Sequence, residues 1–263
     1  MADDLVLCTV KEGVALLILN RPERKNAWTI AMEEQYFDLL RACERDPDVR
    51  TIVVTGAGTA FCPGLDAQDL EDIAAGSSRP PSRDRRPATY PTTIVKPIIA
   101  ALNGACAGIG LIQALVCDVR FAAAGIKITT AFARRGIMAE HGIAWLLPRI
   151  VGTGRAMDLL LSGRILLAEE ALALGLVNRV VPAEDLLAQT LDYAQDIAAN
   201  CSPIATASMK AQVYAAAESS LEAARLQALG LWADRHKRHP DFGEGIRSFV
   251  DKRPPKFEAF TRP

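Results

Sequence analysis

Asn103-Gly104-Ala105-Cys106-Ala107-Gly108-Ile109-Gly110 joins an apolar, strand-like run (97–102) to an apolar, helix-like run (111–117). Glycine at a strand-to-helix junction lets main-chain N–H groups approach a ligand closely, and the first turn of the helix adds the positive end of its dipole. Such a junction can hold an oxyanion, although glycine there also serves plain close packing. Neither nucleotide signature is present: no G-x-G-x-x-G follows a strand, and no G-K-[ST] occurs.

A second loop of the same kind lies upstream. Ala60-Phe61-Cys62-Pro63-Gly64-Leu65-Asp66 follows a β-rich run (51–55) and Gly56-Ala57-Gly58, and it precedes a helix-like stretch (67–74). Two glycine-bearing turns can each aim one N–H at a common point, which is the geometry that holds the negative oxygen of an enolate or a tetrahedral intermediate.

Outward from these loops the pattern predicts stacked β-β-α modules. The β-rich runs 5–10 and 14–19, around Lys11-Glu12-Gly13, predict a hairpin. Thr29 is the expected N-cap of a helix on which Met32, Tyr36, Phe37, Leu40 and Cys43 recur at helical spacing until Pro47. Strands over 51–55 and 97–102, helices over 66–74 and 110–117, and strand-like stretches over 119–122 and 127–129 follow. The proline- and arginine-rich stretch 76–91 cannot bury a core; it is either a solvated connector or a lid over the pocket fed by the first glycine loop.

From Gly142 the pattern turns helical, over 142–150, 153–161, 168–174, 183–199, 203–217, 221–236 and 242–250, with one strand-like insert at 176–181. The apolar stripe of Leu221, Ala224, Leu226 and Leu229 serves either internal packing or a partner chain.

The 263 residues allow one large domain, or one domain plus a small appendage, and 50% hydrophobic with 23% charged residues excludes a disordered chain. Lys plus Arg (30) nearly balance Asp plus Glu (31), so no overall basic field draws nucleic acid or a membrane surface. The six cysteines form neither C-x-x-C nor a zinc-ligand spacing, so neither a disulfide framework nor a metal site is expected. An acidic N-terminus without a basic n-region, and no apolar stretch of membrane-spanning length, lead to the expectation of a cytoplasmic protein.

Taken in order, these residues resemble the enoyl-CoA hydratase/isomerase (crotonase) superfamily. The segments that carry the resemblance are Leu19-Asn20-Arg21-Pro22-Glu23-Arg24-Lys25-Asn26-Ala27, the 61–66 loop, 96–118, Leu147-Pro148-Arg149-Ile150-Val151-Gly152, Gly175-Leu176-Val177-Asn178 and Lys252-Arg253-Pro254-Pro255-Lys256-Phe257. The resemblance implies an α/β spiral of β-β-α turns over 1–200 that carries the CoA-thioester site. It also implies a helical region over 201–263 that covers the active site and builds homotrimers, often paired into hexamers. It implies an acyl-CoA substrate, with coenzyme A as part of that substrate and no separate cofactor.

Carried over by position, the oxyanion donors are the backbone N–H groups of Leu65 and Ile109, set by Gly64, Gly108 and Gly110, with Ile109 standing where the family usually has glycine. The two glutamates of the family's hydratases fall at Ile112 and about Phe132, so neither is present. Glu140 falls where the family's Δ3,Δ2-isomerases carry a single catalytic glutamate. Its place in an apolar loop between Met138 and Trp145 leads to the expectation that desolvation opposes its ionisation. Read without the resemblance, Glu140 is an acid beside a helix N-terminus, His141 a structural side chain, and Arg134-Arg135 either neutralise Glu140 or face a neighbouring subunit.

For coenzyme A, the resemblance places Arg24, Lys25 and Ala27, together with Asp66, Ala67 and Gln68, along the pantetheine and adenine, and Lys256 at the 3′-phosphate, across a subunit boundary. The reading that follows is double-bond isomerisation with Glu140 as acid and base. The alternatives are water addition to a 2-enoyl thioester and a non-catalytic acyl-CoA-binding protein. RNA binding is disfavoured, because 29–45 carries two basic residues against four acidic ones.

Overall fold

The chain passes back and forth between two sheets. The structure, a computed structural model, describes residues 4–77 and 85–259. An antiparallel hairpin, β1 (Val6–Lys11) and β2 (Val14–Leu19), leads through a short 3-10 turn at Pro22–Arg24 to α1 (Ile30–Arg45). Three modules repeat one path, in which a strand of the first sheet is followed by a short strand of the second and then by a helix. These are β3 (Thr51–Gly56), β4 (Ala60–Cys62) and α2 (Ala67–Ala74); β5 (Ile98–Leu102), β6 (Ala105–Ala107) and α3 (Ile109–Leu115); and β7 (Val119–Ala123), β8 (Lys127–Thr129) and α4 (Ile143–Val151).

Then come α5 (Thr153–Ser162), β9 (Leu166–Leu167), α6 (Ala168–Ala173), β10 (Arg179–Val181) and α7 (Leu186–Asn200). The last helices are α8 (Pro203–Ala216), α9 (Leu221–Asp234) and α10 (Pro240–Val250). The sheet orders are β1-β2-β3-β5-β7-β10 and β4-β6-β8-β9, parallel apart from the β1–β2 and β8–β9 pairs.

The central strands are mainly apolar because both faces are covered. β3 and β5 are buried at every residue. One face packs on α1, α3 and α4, through Met32, Phe37, Leu40, Ile112 and Leu147 among others. The other packs on α7, where Val53, Ile99 and Phe121 meet Leu186, Ala194 and Ala198. Each such large side chain contributes roughly 1.5–3 kcal/mol by burial, whereas an exposed ion pair gives about 0–1 kcal/mol. The double covering of the sheet therefore dominates.

α1 starts as expected: the Thr29 hydroxyl accepts the Met32 N–H at 3.2 Å, and Met32, Tyr36, Phe37, Leu40 and Cys43 are all buried. Several expectations need correction. β4, β6 and β9 are strands of three, three and two residues that the periodicity did not show, because so short a piece has no alternation to read and is defined by its neighbour. The strand expected over 176–181 is paired only at Arg179–Val181, since Leu176 and Val177 turn back on Ala171. α7 starts at Leu186, after a 3-10 turn at Ala183–Asp185.

Of the stretch 76–91, residues 78–84 lie outside the described residues. Its end is fixed to α1: Arg85 Nε bonds Glu33 Oε1 at 2.6 Å, and Arg86 bonds Asp38 at 2.9 Å while lying over the Phe37 and Tyr90 rings. Among the described residues no helix is long and apolar enough to cross a membrane.

Candidate active site

The parallel pairing of β4 with β6 (Ala60 with Ala105, Cys62 with Cys106) brings the two glycine turns side by side. A Cβ built on Gly108 would stand 3.8 Å from the Gly64 Cα. Both turns need glycine, with φ of 118° at Gly64 and 52° at Gly108. At Gly110 the need is room, since a Cβ there would lie 2.2 Å from the Cys62 carbonyl oxygen. The first turn of α3 therefore rests directly on the end of β4.

Two amides are left over. Gly64 O accepts the Trp28 N–H (2.8 Å) and Asp66 N–H donates to Trp28 O (2.9 Å), so the alternation of an extended strand turns the Leu65 N–H to the opposite side. Ile109 opens α3, and an N–H in a first helical turn has no partner within the helix. Neither amide has an acceptor among the described residues. Because Gly108 takes the left-handed φ, the branched Ile109 fits, with its side chain 6% exposed in the core.

These turns form one wall of an open cavity of about 210 Å³, whose lining includes Leu70 and Ile73 of α2 and Phe132, Ile137 and Glu140. Among the described residues Glu140 is the one carboxylate on its lining. Its backbone oxygen accepts the Ile143 N–H (3.1 Å), and two consecutive left-handed residues, His141 (φ 52°) and Gly142 (φ 80°), turn the chain into α4. A non-glycine residue there costs roughly 1–3 kcal/mol, which the surrounding structure must offset. Ala131, also on the cavity wall, is likewise left-handed at φ 62°.

Three expectations about this segment change. The Glu140 carboxylate caps no helix amide; among the described residues its nearest ionisable neighbour is His141, with Nε2 4.0 Å from Oε2. The apolar enclosure expected for Glu140 is not supplied by this chain alone, since its side chain is 48% exposed. Arg134 and Arg135 part ways, with Arg134 Nε bonded to Ser162 O at 2.9 Å and Arg135 on the cavity lining. Ile112 is fully buried in the core, while Phe132 lines the cavity.

The loop expected along coenzyme A is bound to the first glycine turn by contacts the sequence did not show. Asn26, buried and left-handed (φ 60°), donates to Ala57 O (2.8 Å) and Ala60 O (2.7 Å) and accepts the Arg21 N–H (2.9 Å). Asn103 does the same for the β3–β4 turn, donating to Gly56 O and Gly58 O. Asp66, 4% exposed, caps α2 through the Gln68 N–H and pairs with Arg21 at 3.1 Å and Arg24 at 3.7 Å. Burial pushes its pKa up, but the Gln68 amide and the two guanidinium groups outweigh that and hold it below the ordinary carboxylate value.

Its carboxylate is thus spent inside the protein, while Lys25 and Ala67 are exposed and Ala27 is buried. Lys256 is not brought to the cavity. The neighbouring Phe257 carbonyl accepts Arg50 Nη2 at 2.8 Å, at the start of β3, whereas the glycine turn follows the end of that module's strands.

The sequence model for enoyl-CoA hydratase/isomerase matches residues 9–260. The chain is 36% identical over 251 residues to the enoyl-CoA hydratase ACTT3 of Alternaria alternata, covering 94% of this chain and 83% of that one. It is 34% identical to the 1,2-epoxyphenylacetyl-CoA isomerase of Escherichia coli (strain K12), covering 97% and 98%. Among solved structures, a probable enoyl-CoA hydratase/isomerase from Mycobacterium abscessus superposes with a TM-score of 0.89 at 31% identity, covering 97% of this chain and 99% of that one.

Proposed function

The chain belongs to the enoyl-CoA hydratase/isomerase family, and on that premise we propose that it moves a double bond between the 3 and 2 positions of an acyl-CoA thioester, with Glu140 as its single acid and base. The observation that carries this reading is the pairing of one lining carboxylate with two unbonded main-chain N–H groups on the same cavity. Glu140 takes the proton from the carbon α to the thioester carbonyl. The electron pair moves into the thioester oxygen, where the Leu65 and Ile109 amides stabilise it, and the same proton returns at the γ carbon.

Loss of one such donor costs roughly 10²–10³ in rate, and a positioned base contributes about 10²–10⁴. Water addition by Glu140 alone is the second reading, and the hydratase names of relatives such as ACTT3 favour it. Against it, Ile112 and Phe132 offer no second carboxylate to position the water. Supplying a 3-enoyl-CoA and a 2-enoyl-CoA separately, and following 2-enoyl and 3-hydroxyacyl products, distinguishes the two. Hydration without isomerisation refutes the first.

The exposed loop cations Arg24 and Lys25 suit the phosphates of coenzyme A. The helices beyond residue 200 leave large apolar side chains in water: Leu221 is 89%, Phe249 84% and Val213 71% exposed. Burial of these in a homotrimer, or a pair of trimers, is part of the same proposal and would bring Lys256 to a neighbour's coenzyme A.

A further inference from the structure

Of two adjacent arginines, one is committed to the fold and the other is not. Arg134 bonds Ser162 O and packs against the Gly163 turn. Arg135 lines the cavity, and its guanidinium has a single long bond, Nη1 to Ala131 O at 3.4 Å, with no ion pair among the described residues. Glu140 shares the cavity but is not within ion-pair distance of it. Leu70, Ile73, Phe132 and Ile137 make an apolar part of the wall, and Thr130 and His141 are its other polar members. Arg135 is exposed at the cavity mouth, and four of its five N–H donors have no protein acceptor among the described residues, so they are open to an anion that the ligand brings.

We infer that Arg135 makes this cavity selective for acyl-CoA thioesters whose acyl group ends in a second carboxylate. The inference rests on the proposed function, since it takes the thioester to sit on the glycine turns. With the thioester oxygen at the Leu65 and Ile109 amides and the α carbon at Glu140, the chain runs between Leu70 and Phe132. A carboxylate at its far end meets the planar guanidinium, which matches it with two parallel N–H···O bonds. Arg24 and Lys25, the cations proposed for the phosphates of coenzyme A, are not on the cavity lining, which leaves Arg135 to the acyl group.

The test is calorimetric binding of glutaryl-CoA and pentanoyl-CoA, equal in chain length and different in the terminal carboxylate, to the wild type, Arg135→Leu and Arg135→Lys. The wild type should bind glutaryl-CoA at least about tenfold more tightly, the size expected for a charged hydrogen-bonded pair. Arg135→Leu should abolish that ratio while leaving pentanoyl-CoA affinity within about twofold, and Arg135→Lys should keep part of it. No preference in the wild type overturns the inference. So does an equal loss for both ligands in Arg135→Leu, which would place the guanidinium on the coenzyme A they share. The ratio needs no turnover, so a wild type that binds selectively yet exchanges no α proton overturns the catalytic reading and leaves the selectivity standing.

Discussion

Arg21 Nη1 lies 3.1 Å from Asp66 Oδ2, joining residues 45 apart in sequence, and the same guanidinium nitrogen donates to Ala27 O at 2.6 Å. One ion pair thus fastens the expected coenzyme A loop to the turn that carries the Leu65 amide. Both side chains are largely shielded, at 17% and 6% exposure.

Replacing Asp66 by Asn keeps an acceptor for the Gln68 amide but leaves Arg21 uncompensated, which should cost about 3 kcal/mol, in the range for breaking a buried pair from one side. Thermal melting at neutral pH should show a fall of several degrees. A variant that melts with the wild type shows that the pair does not hold the loop.

The same pair sets a pH dependence. The folded pKa of Asp66 is lowered, so its contribution is complete above the ordinary carboxylate value of about 3.9 and is lost as pH falls through the lower folded value. The stability gap between the wild type and Asp66→Asn should narrow below about pH 4, as urea titrations across that range would show; a gap that widens in acid contradicts the assigned sign.

Gly110→Ala and Gly108→Ala should fail differently. At 110 the added methyl meets the Cys62 backbone at 2.2 Å, so β4 and α3 must separate, and a loss of more than about 4 kcal/mol with poor solubility is expected. At 108 there is room, with the nearest atom 3.8 Å away, and strain of roughly 1–3 kcal/mol should leave a folded protein with a displaced amide. Its α-proton exchange should fall about 10²-fold. Wild-type exchange in Gly108→Ala would remove the Ile109 amide from the mechanism.

Glu140→Gln keeps shape but cannot take up a proton. Deuterium entry at the α carbon in D₂O should drop roughly 10²-fold or more, with acyl-CoA affinity little changed. Unchanged exchange assigns the proton transfer to another group.

Light scattering should give a mass three or six times the 28.3 kDa of the chain. Replacing Leu221 and Phe249 by Ser should lower it, because removing large apolar contacts weakens a hydrophobic interface. A monomer mass for the wild type across a wide concentration range refutes the assembly.

The hairpin, the capped α1 and the buried parallel strands were legible because each is written in local periodicity, as in Met32, Tyr36, Phe37 and Leu40. The two glycine turns were legible as motifs. Their adjacency rests on β4 and β6, three residues each, which acquire strand character only by pairing. Polar links across long separations left no trace in local pattern: Asn26 with Ala60, Arg21 with Asp66, Arg85 with Glu33. Nor could neighbours as alike as Arg134 and Arg135 be told apart, since the 3-10 turn they close, with Gly136 at φ 68°, decides which one points where.

Leu65 and Ile109 take part in the proposed chemistry through atoms that every amino acid except proline possesses. Most substitutions at either position leave the donor in place, whereas the proton transfer proposed for Glu140 depends on its side chain. The half of the site that holds charge is inherited with the strand pairing, and the half that moves protons is inherited one side chain at a time. On the proposed mechanism, a change of the proton-moving side chain would therefore leave the two amides that stabilise the intermediate in place.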